Sequence, residues 1–175
     1  MNHHFVPIMP KFCSFFFILL CSAFIILSCT RNDAQRDFEK EAYSAPNNFT
    51  ETTSQGSIQS ADEDDWRTSP LFQGLIEIVP PFPNPVQTNQ AVQFEVEVTG
   101  VQSINGLEVL VRLPDNSFRS LYQSFQTLQP GLTTFQINPI EFAINGNPEG
   151  ARGLNRVYIF NASSQMISYG DIMVE

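Results

Sequence analysis

The sequence predicts an all-β domain over residues 67–175, a two-sheet sandwich of seven to eight short strands. Three observations carry this. Ala91 to Thr99 alternates, with Val92, Phe94, Val96 and Val98 on one face and Gln93, Glu95 and Glu97 on the other, the period of a half-buried strand. Further short apolar runs follow it, set apart by turn chemistry at intervals of about 8–12 residues, the spacing of sandwiches. After Trp66 no segment shows a helical period.

The first strand is expected over Leu71 to Val79, ended by Pro80, Pro81, Pro83 and Pro85, because proline lacks the ladder donor. Ala91 to Thr99 is the second. Leu107 to Leu113 is the third, with Val109 and Val111 inward, and Pro114-Asp115-Asn116-Ser117 turns the chain into a hairpin partner over Phe118 to Phe125. Beyond Gln129-Pro130-Gly131, the residues Thr133, Phe135 and Ile137 mark a fifth strand. Leu154 to Asn161 is apolar on both faces, as a central strand would be, with Val157 and Ile159 packed near the second strand. Met166 to Val174 closes the domain, and a bulge at Gly170 would turn Ile167, Tyr169, Ile172 and Val174 all inward.

Between the fifth and sixth strands, Pro139 to Gly153 is the longest irregular connection, and long connections in compact domains tend to carry function. Its polar residues Asn145, Asn147, Glu149 and Arg152 form the candidate binding loop. The competing reading makes Ile140, Phe142 and Ile144 an eighth edge strand, since they alternate.

Ahead of the domain, Phe12 to Leu27 carries no charge and follows Lys11. A basic start, an apolar run and a small residue before the break describe a secretory signal peptide over residues 1–28. The run is shorter than the roughly 20 residues that span a bilayer. Ile26-Leu27-Ser28-Cys29 resembles the lipobox of bacterial lipoproteins. The resemblance implies cleavage before Cys29, acylation of its thiol, and a place in the bacterial cell envelope at the outer membrane. The implied partners are the membrane, through the lipid anchor, and another envelope protein.

Residues 29–66 then read as the lipidated cysteine and a disordered acidic tether. From Thr30 to Trp66 there are three basic and nine acidic residues, with few branched apolar ones. As a coil, this stretch would average roughly 35 Å and reach about 130 Å when extended. Asp62-Glu63-Asp64-Asp65 lacks the spacing and glycine of a calcium loop and reads as a solvated run.

Cleavage before Cys29 would remove both histidines and leave Cys29 as the one cysteine, its thiol acylated; Lys40 would be the one lysine. Histidine triads, cysteine nucleophiles and most zinc or copper sites therefore drop out. The expectation is a protein that is not an enzyme, with no cofactor and no metal. Residues 67–175 hold five arginines and nine carboxylates, so nucleic acid is not an expected partner. Glu95 and Glu97 share a strand face about 7 Å apart, a separation of glycosidase type, but outward glutamates on such a strand belong to solvated surface. Asn48 and Asn161 match the glycosylation pattern by chance.

Phe82-Pro83-Asn84-Pro85, followed by an alternating strand and about six more, resembles the immunoglobulin-like or fibronectin-type-III-like sandwiches of exported bacterial proteins. It is also similar to the C-terminal sorting domain of type IX secretion cargo, where a Pro-Asn-Pro turn opens a sandwich of this size. The resemblance implies an immunoglobulin-like fold and no functional residue; a core tryptophan is not expected. Two roles follow as expectations. One is a non-catalytic lipoprotein that contacts another protein or supports an envelope assembly. The other is a module binding a glycan or small ligand, for which an outward aromatic row would be the sign.

Overall fold

The computed structural model describes residues 33–175. Helix α1 covers residues 33–42, and a small hairpin pairs β1 (Glu51–Thr52) with β2 (Ile58–Ser60). The sandwich follows: β3 (Glu77–Phe82), β4 (Val92–Val98), β5 (Leu107–Arg112), β6 (Phe118–Ser124), β7 (Gly131–Ile137), β8 (Gly153–Phe160) and β9 (Met166–Val174). One sheet runs β3-β4-β7 and the other β6-β5-β8-β9, every pairing antiparallel. The seven-strand sandwich is thus as the alternation predicts. The fourth strand, β6, lies beside the third instead of joining the sheet of the first two, unlike the constant-type immunoglobulin arrangement.

Inward residues are those the period-two pattern selects. Val92, Phe94, Val96, Val109, Val111, Val157 and Ile159 are fully buried, with Val98 nearly so. Pairing of Val109 with Ile159 and Val111 with Val157 places β8 in the middle of its sheet. The first strand begins at Glu77 rather than Leu71, since 70–75 forms turns. Pro80 and Pro81 sit inside β3 because it is an edge strand with a register shift between Val79 and Phe82, where no ladder donor is needed.

Two connections depart from expectation. Gly170 is not a bulge: it pairs with Val157 in register, and the shift lies between Ile159 and Phe160, opposite Ile167. Ile167, Ile172 and Val174 therefore face the main core, while Tyr169, expected inward with them, faces outward. Gly170 is a glycine for another reason, because a Cβ there would stand 2.3 Å from Cε2 of Trp66. Residues 140–144 do not form an eighth strand. Pro139–Phe142 is a 3-10 turn and α2 (Pro148–Ala151) a single helical turn, with Phe142, Ala143 and Ala151 buried beneath them. Arg119 of β6 donates to the carbonyls of Glu141, Ala143 and Ile144, which uses the groups a strand would have paired.

The largest correction concerns the disordered tether. Its residues 29–32 lie outside the described residues, but from residue 33 the chain is folded onto the sandwich. The cause is in β8 and β9, whose outer side chains Tyr158, Met166 and Tyr169 are apolar and need a cover. Gln35, Phe38 and Ala42, one helical stripe, supply it and are buried there. Phe38 meets Tyr169 edge-on at 5.1 Å. Trp66, expected at the end of a linker, is instead in the main core and 3% exposed.

The edge of β9 is also closed. Trp66 N–H donates to Tyr169 O at 2.7 Å, Ser69 N–H to Ile167 O at 2.8 Å, and Val86 N–H to Met173 O at 2.9 Å. Covering an edge in this way denies it to other chains. Asn84 of the Pro-Asn-Pro turn is fully buried; its amide donates to Thr50 O and Asp171 O and accepts from Met173 N–H. That side chain ties the N-terminal segment to the last strand.

Candidate functional site

Cys29 and the motif residues Ile26, Leu27 and Ser28 lie outside the described residues. The candidate loop can be placed. Asn145 is exposed at its tip. Asn147 caps α2, its Oδ1 accepting from Gly150 N–H at 2.6 Å. Glu149 and Arg152 face each other at 3.4 Å on the surface. The loop is held as a shaped surface by Arg119 and the Asn147 cap, not as an open pocket. Ile144 adjoins Asn145 in the loop and is exposed, and the exposed rings of Phe118 and Tyr43 meet at the same end of the sandwich, on the outer face of β6.

Outward aromatics do form a group, but α1 covers most of it. Tyr158 and Tyr169 are fully buried, and Tyr43 stacks on Tyr158 at 5.5 Å. Only Tyr43 and Phe118 remain about half exposed, with their rings at 84° to each other. Glu95 accepts from Gln93 Nε2 at 2.7 Å, while Glu97 stands directly opposite Glu77. Among the described residues no histidine, cysteine, aspartate and glutamate group is arranged to hold a metal.

A buried polar cluster lies under the N-terminal segment. Arg156 grips Asp171 with two bonds, Nε to Oδ1 at 2.7 Å and a terminal nitrogen to Oδ2 at 2.5 Å, both side chains being 1% exposed. Asp65 accepts from Thr50 N–H and Asp171 N–H through its two oxygens, at 2.7 and 2.9 Å. Burial pushes the Asp65 carboxyl up to about 7, and Asp171 and Asp62 add to the effect. Burial also raises Asp171, but there Arg156 opposes it. Burial raises the Tyr158 and Tyr169 hydroxyls as well. Asp65 thus joins residue 50 to β9, and the Arg156–Asp171 pair joins β8 to β9, so these bonds hold the N-terminal segment and the last two strands together. Asp65 was not foreseen as buried; the apolar Trp66 beside it is the one signal that could have suggested it.

Outside this cluster, an acidic cavity of ≈ 630 Å³ is lined by Glu41, Asn47, Asp62, Glu63, Asp64 and Arg67. Arg67 already pairs with Glu41 and donates to the Tyr169 hydroxyl. The two ends of the sandwich differ more than its faces. Connections 70–76, 99–106, 125–130 and 161–165 meet at one end and contain no charged residue. At the other end lie Asp115, Glu141, Glu149, Arg152 and Glu175. No protein-family model and no curated protein matches the chain.

Proposed function

We propose that this chain is a bacterial envelope lipoprotein, acylated at Cys29 and held at the outer membrane. In this reading it is non-catalytic and presents its sandwich to another envelope protein. Lipobox-like residues Ile26 to Cys29 support the anchor. The observation that carries the contact role is the makeup of the end remote from residue 33. Asn145, Glu149 and Arg152 share that end with the exposed Phe118, Tyr43 and Ile144, the mix of aromatic anchors and polar rim found in protein interfaces. A fixed backbone under those groups lowers the ordering cost of binding. Sugar recognition is the weaker reading, because a stacking platform needs a flat exposed ring row, and the exposed rings of Tyr43 and Phe118 are nearly perpendicular while Phe125 stands at the opposite end of the sandwich.

The test is photo-crosslinking in the native envelope from a reactive residue placed at Asn145. Exchanging the pair as Glu149→Arg with Arg152→Glu preserves their mutual attraction and reverses the charges seen by a partner. That exchange, or Phe118→Ala, is expected to remove the crosslink while leaving the melting temperature unchanged. An undiminished crosslink in both folded variants would move the contact surface elsewhere. Cys29→Ala is expected to leave unacylated, poorly cleaved precursor; membrane-attached mature protein of normal size in that variant would refute the anchor.

A further inference from the structure

We propose that the charge-free end of the sandwich is a membrane-docking surface that seats in the interfacial layer of the bilayer carrying the anchor. This rests on acylation of Cys29. Three observations converge on it. First, α1 starts at this end: the Gln35 side chain reaches Met166 O at the beginning of β9 and accepts from Leu71 N–H. From Cys29 to Asp33 the chain can extend at most about 14 Å, so an acyl group on Cys29 brings this end, and not the opposite one, to the lipid.

Second, the apolar side chains most exposed to solvent are here. Val101 is 98% exposed, Phe125 75% and Leu132 58%. Pairing of Val98 with Gly131 and of Leu107 with Ser124 brings them to one rim. A bridge between Ile104 and Leu128, both buried, locks the two loops together. Single exposed apolar residues are ordinary; Val101 and Phe125, the two most exposed among the described residues, on one locked rim with no charge in any of the four connections, are not.

Third, the charge distribution fits lipid. The protein carries a formal net charge of −9, which elsewhere on its surface would oppose an anionic headgroup layer. At this end Asp33 is paired with Arg36; the nearest strand carboxylates are Glu97, directly across from Leu132, and Glu77 beyond it on the outer face of the other sheet, while Val101 and Phe125 stand in connections free of charge. Valine and phenylalanine on uncharged polar loops can enter the interface to the ~5–10 Å that amphipathic surfaces reach. The lipid anchor makes the second contact intramolecular, so a weak apolar rim suffices.

The experiment uses the full chain, matured and purified as the lipoprotein, in vesicles of phosphatidylethanolamine and phosphatidylcholine. Acylation consumes the Cys29 thiol, so Val101→Cys, Phe125→Cys, Asn116→Cys and Asn145→Cys each provide one site for an environment-sensitive fluorophore. All four positions are exposed, so a label displaces no buried side chain; Asn116 lies at φ 64, and a melting curve of each labelled variant verifies that it is folded. The expected result is a blue shift, with quenching by nitroxide-bearing lipid, at 101 and 125 and at neither 116 nor 145. Equal quenching at all four positions, or none at 101 and 125 in acylated protein, overturns the docking alone. Shielding at 101 and 125 from an aqueous quencher without quenching by the lipid would mean a second copy covers the rim, and also overturns it. A mass showing no acyl chain would overturn the anchor reading and the docking with it.

Discussion

Gly170→Ala tests how the N-terminal segment is joined to the sandwich. The added Cβ would stand 2.3, 2.5 and 2.7 Å from Cε2, Cδ2 and Cζ2 of the Trp66 indole. Carbon atoms prefer about 3.5–4.0 Å, so the ring would have to retreat by roughly 1 Å or more. It has nowhere to go. Trp66 is 3% exposed, packs edge-on against Phe94 at 5.9 Å, and is pinned by its N–H bond to Tyr169 O. Its backbone sits at φ 58, a conformation that costs a bulky residue energy and is kept only where the surroundings impose it. The indole N–H has no hydrogen-bond partner, so packing alone determines where the ring lies.

The cost is bounded on both sides. If the ring stays, overpacking costs about 1–3 kcal/mol. If it is expelled, the loss approaches that of truncating a buried tryptophan, about 3–5 kcal/mol. A value near 3 kcal/mol is expected, a fall of roughly 10 °C in melting temperature for a domain of this size. Urea melts give the energy, and the emission of the single tryptophan reports its position; a red shift in the folded variant would show expulsion. In the Trp66→Ala background the clash is gone, so Gly170→Ala should cost little there, and the cycle should show coupling of about 2–3 kcal/mol. A Gly170→Ala effect within about 0.5 kcal/mol of wild type, or simple additivity with Trp66→Ala, would refute the reasoning.

Asp65 makes stability depend on pH in the unusual direction. Unfolded it releases its proton near 3.8 and folded near 7, so the folded state holds more protons between those values. Stability is therefore fully present below about pH 4 and falls as pH rises to about 7, by up to ~4 kcal/mol for this group; Asp65→Asn should flatten that slope in urea melts taken across the window. Arg156→Ala strands the Asp171 carboxylate in the interior and should cost about 3–5 kcal/mol, whereas replacing both partners by apolar residues of similar volume should cost far less; equal losses would show that the pair is not the determinant. Phe94→Ala should cost about 3–5 kcal/mol, and Glu95→Ala, on the opposite face of the same strand, within about 0.5 kcal/mol; similar melting temperatures would contradict the register.

The sandwich was legible because its strands bury one face. In β4 and β5 the alternation of valine and phenylalanine with glutamate, glutamine and arginine states both the strand and its orientation. The hairpin at Pro114 to Ser117 is likewise local chemistry: Asp115 accepts from Ser117 N–H at 3.0 Å. What alternation cannot give is sheet membership, which depends on pairings between residues far apart in sequence. The candidate loop shows a related limit. Ile140, Phe142 and Ile144 alternate as a strand would, yet only Phe142 is buried while Ile144 is exposed, and Arg119 on β6 takes the carbonyls of Glu141, Ala143 and Ile144. No period within residues 140–144 could report an arginine twenty residues earlier.

The tether failed as an expectation for a reason that was present in the sequence on the wrong side of the chain. Leu154 to Asn161 reads as apolar on both faces, and a strand of that kind requires two covers. One is the opposing sheet; the other has to come from a segment not yet assigned to the domain. Residues 33–43 are weak by local criteria, since Arg36 and Lys40, like Asp37 and Glu41, repel at helical spacing. Their apolar stripe is only Phe38 and Ala42 beside Gln35. Helices of this length draw their stability from packing more than from propensity, so the deciding information lay in Tyr158, Met166 and Tyr169, more than a hundred residues away. The same reasoning changes how far an anchored domain could range. A free coil from Cys29 to Trp66 would permit an excursion of about 130 Å, whereas a chain folded from Asp33 onward leaves about 14 Å between acyl group and sandwich. With Cys29 acylated as proposed, the protein would be a fixed post at the membrane, and a partner would have to come within one domain length of the lipid surface to meet Asn145 and Arg152.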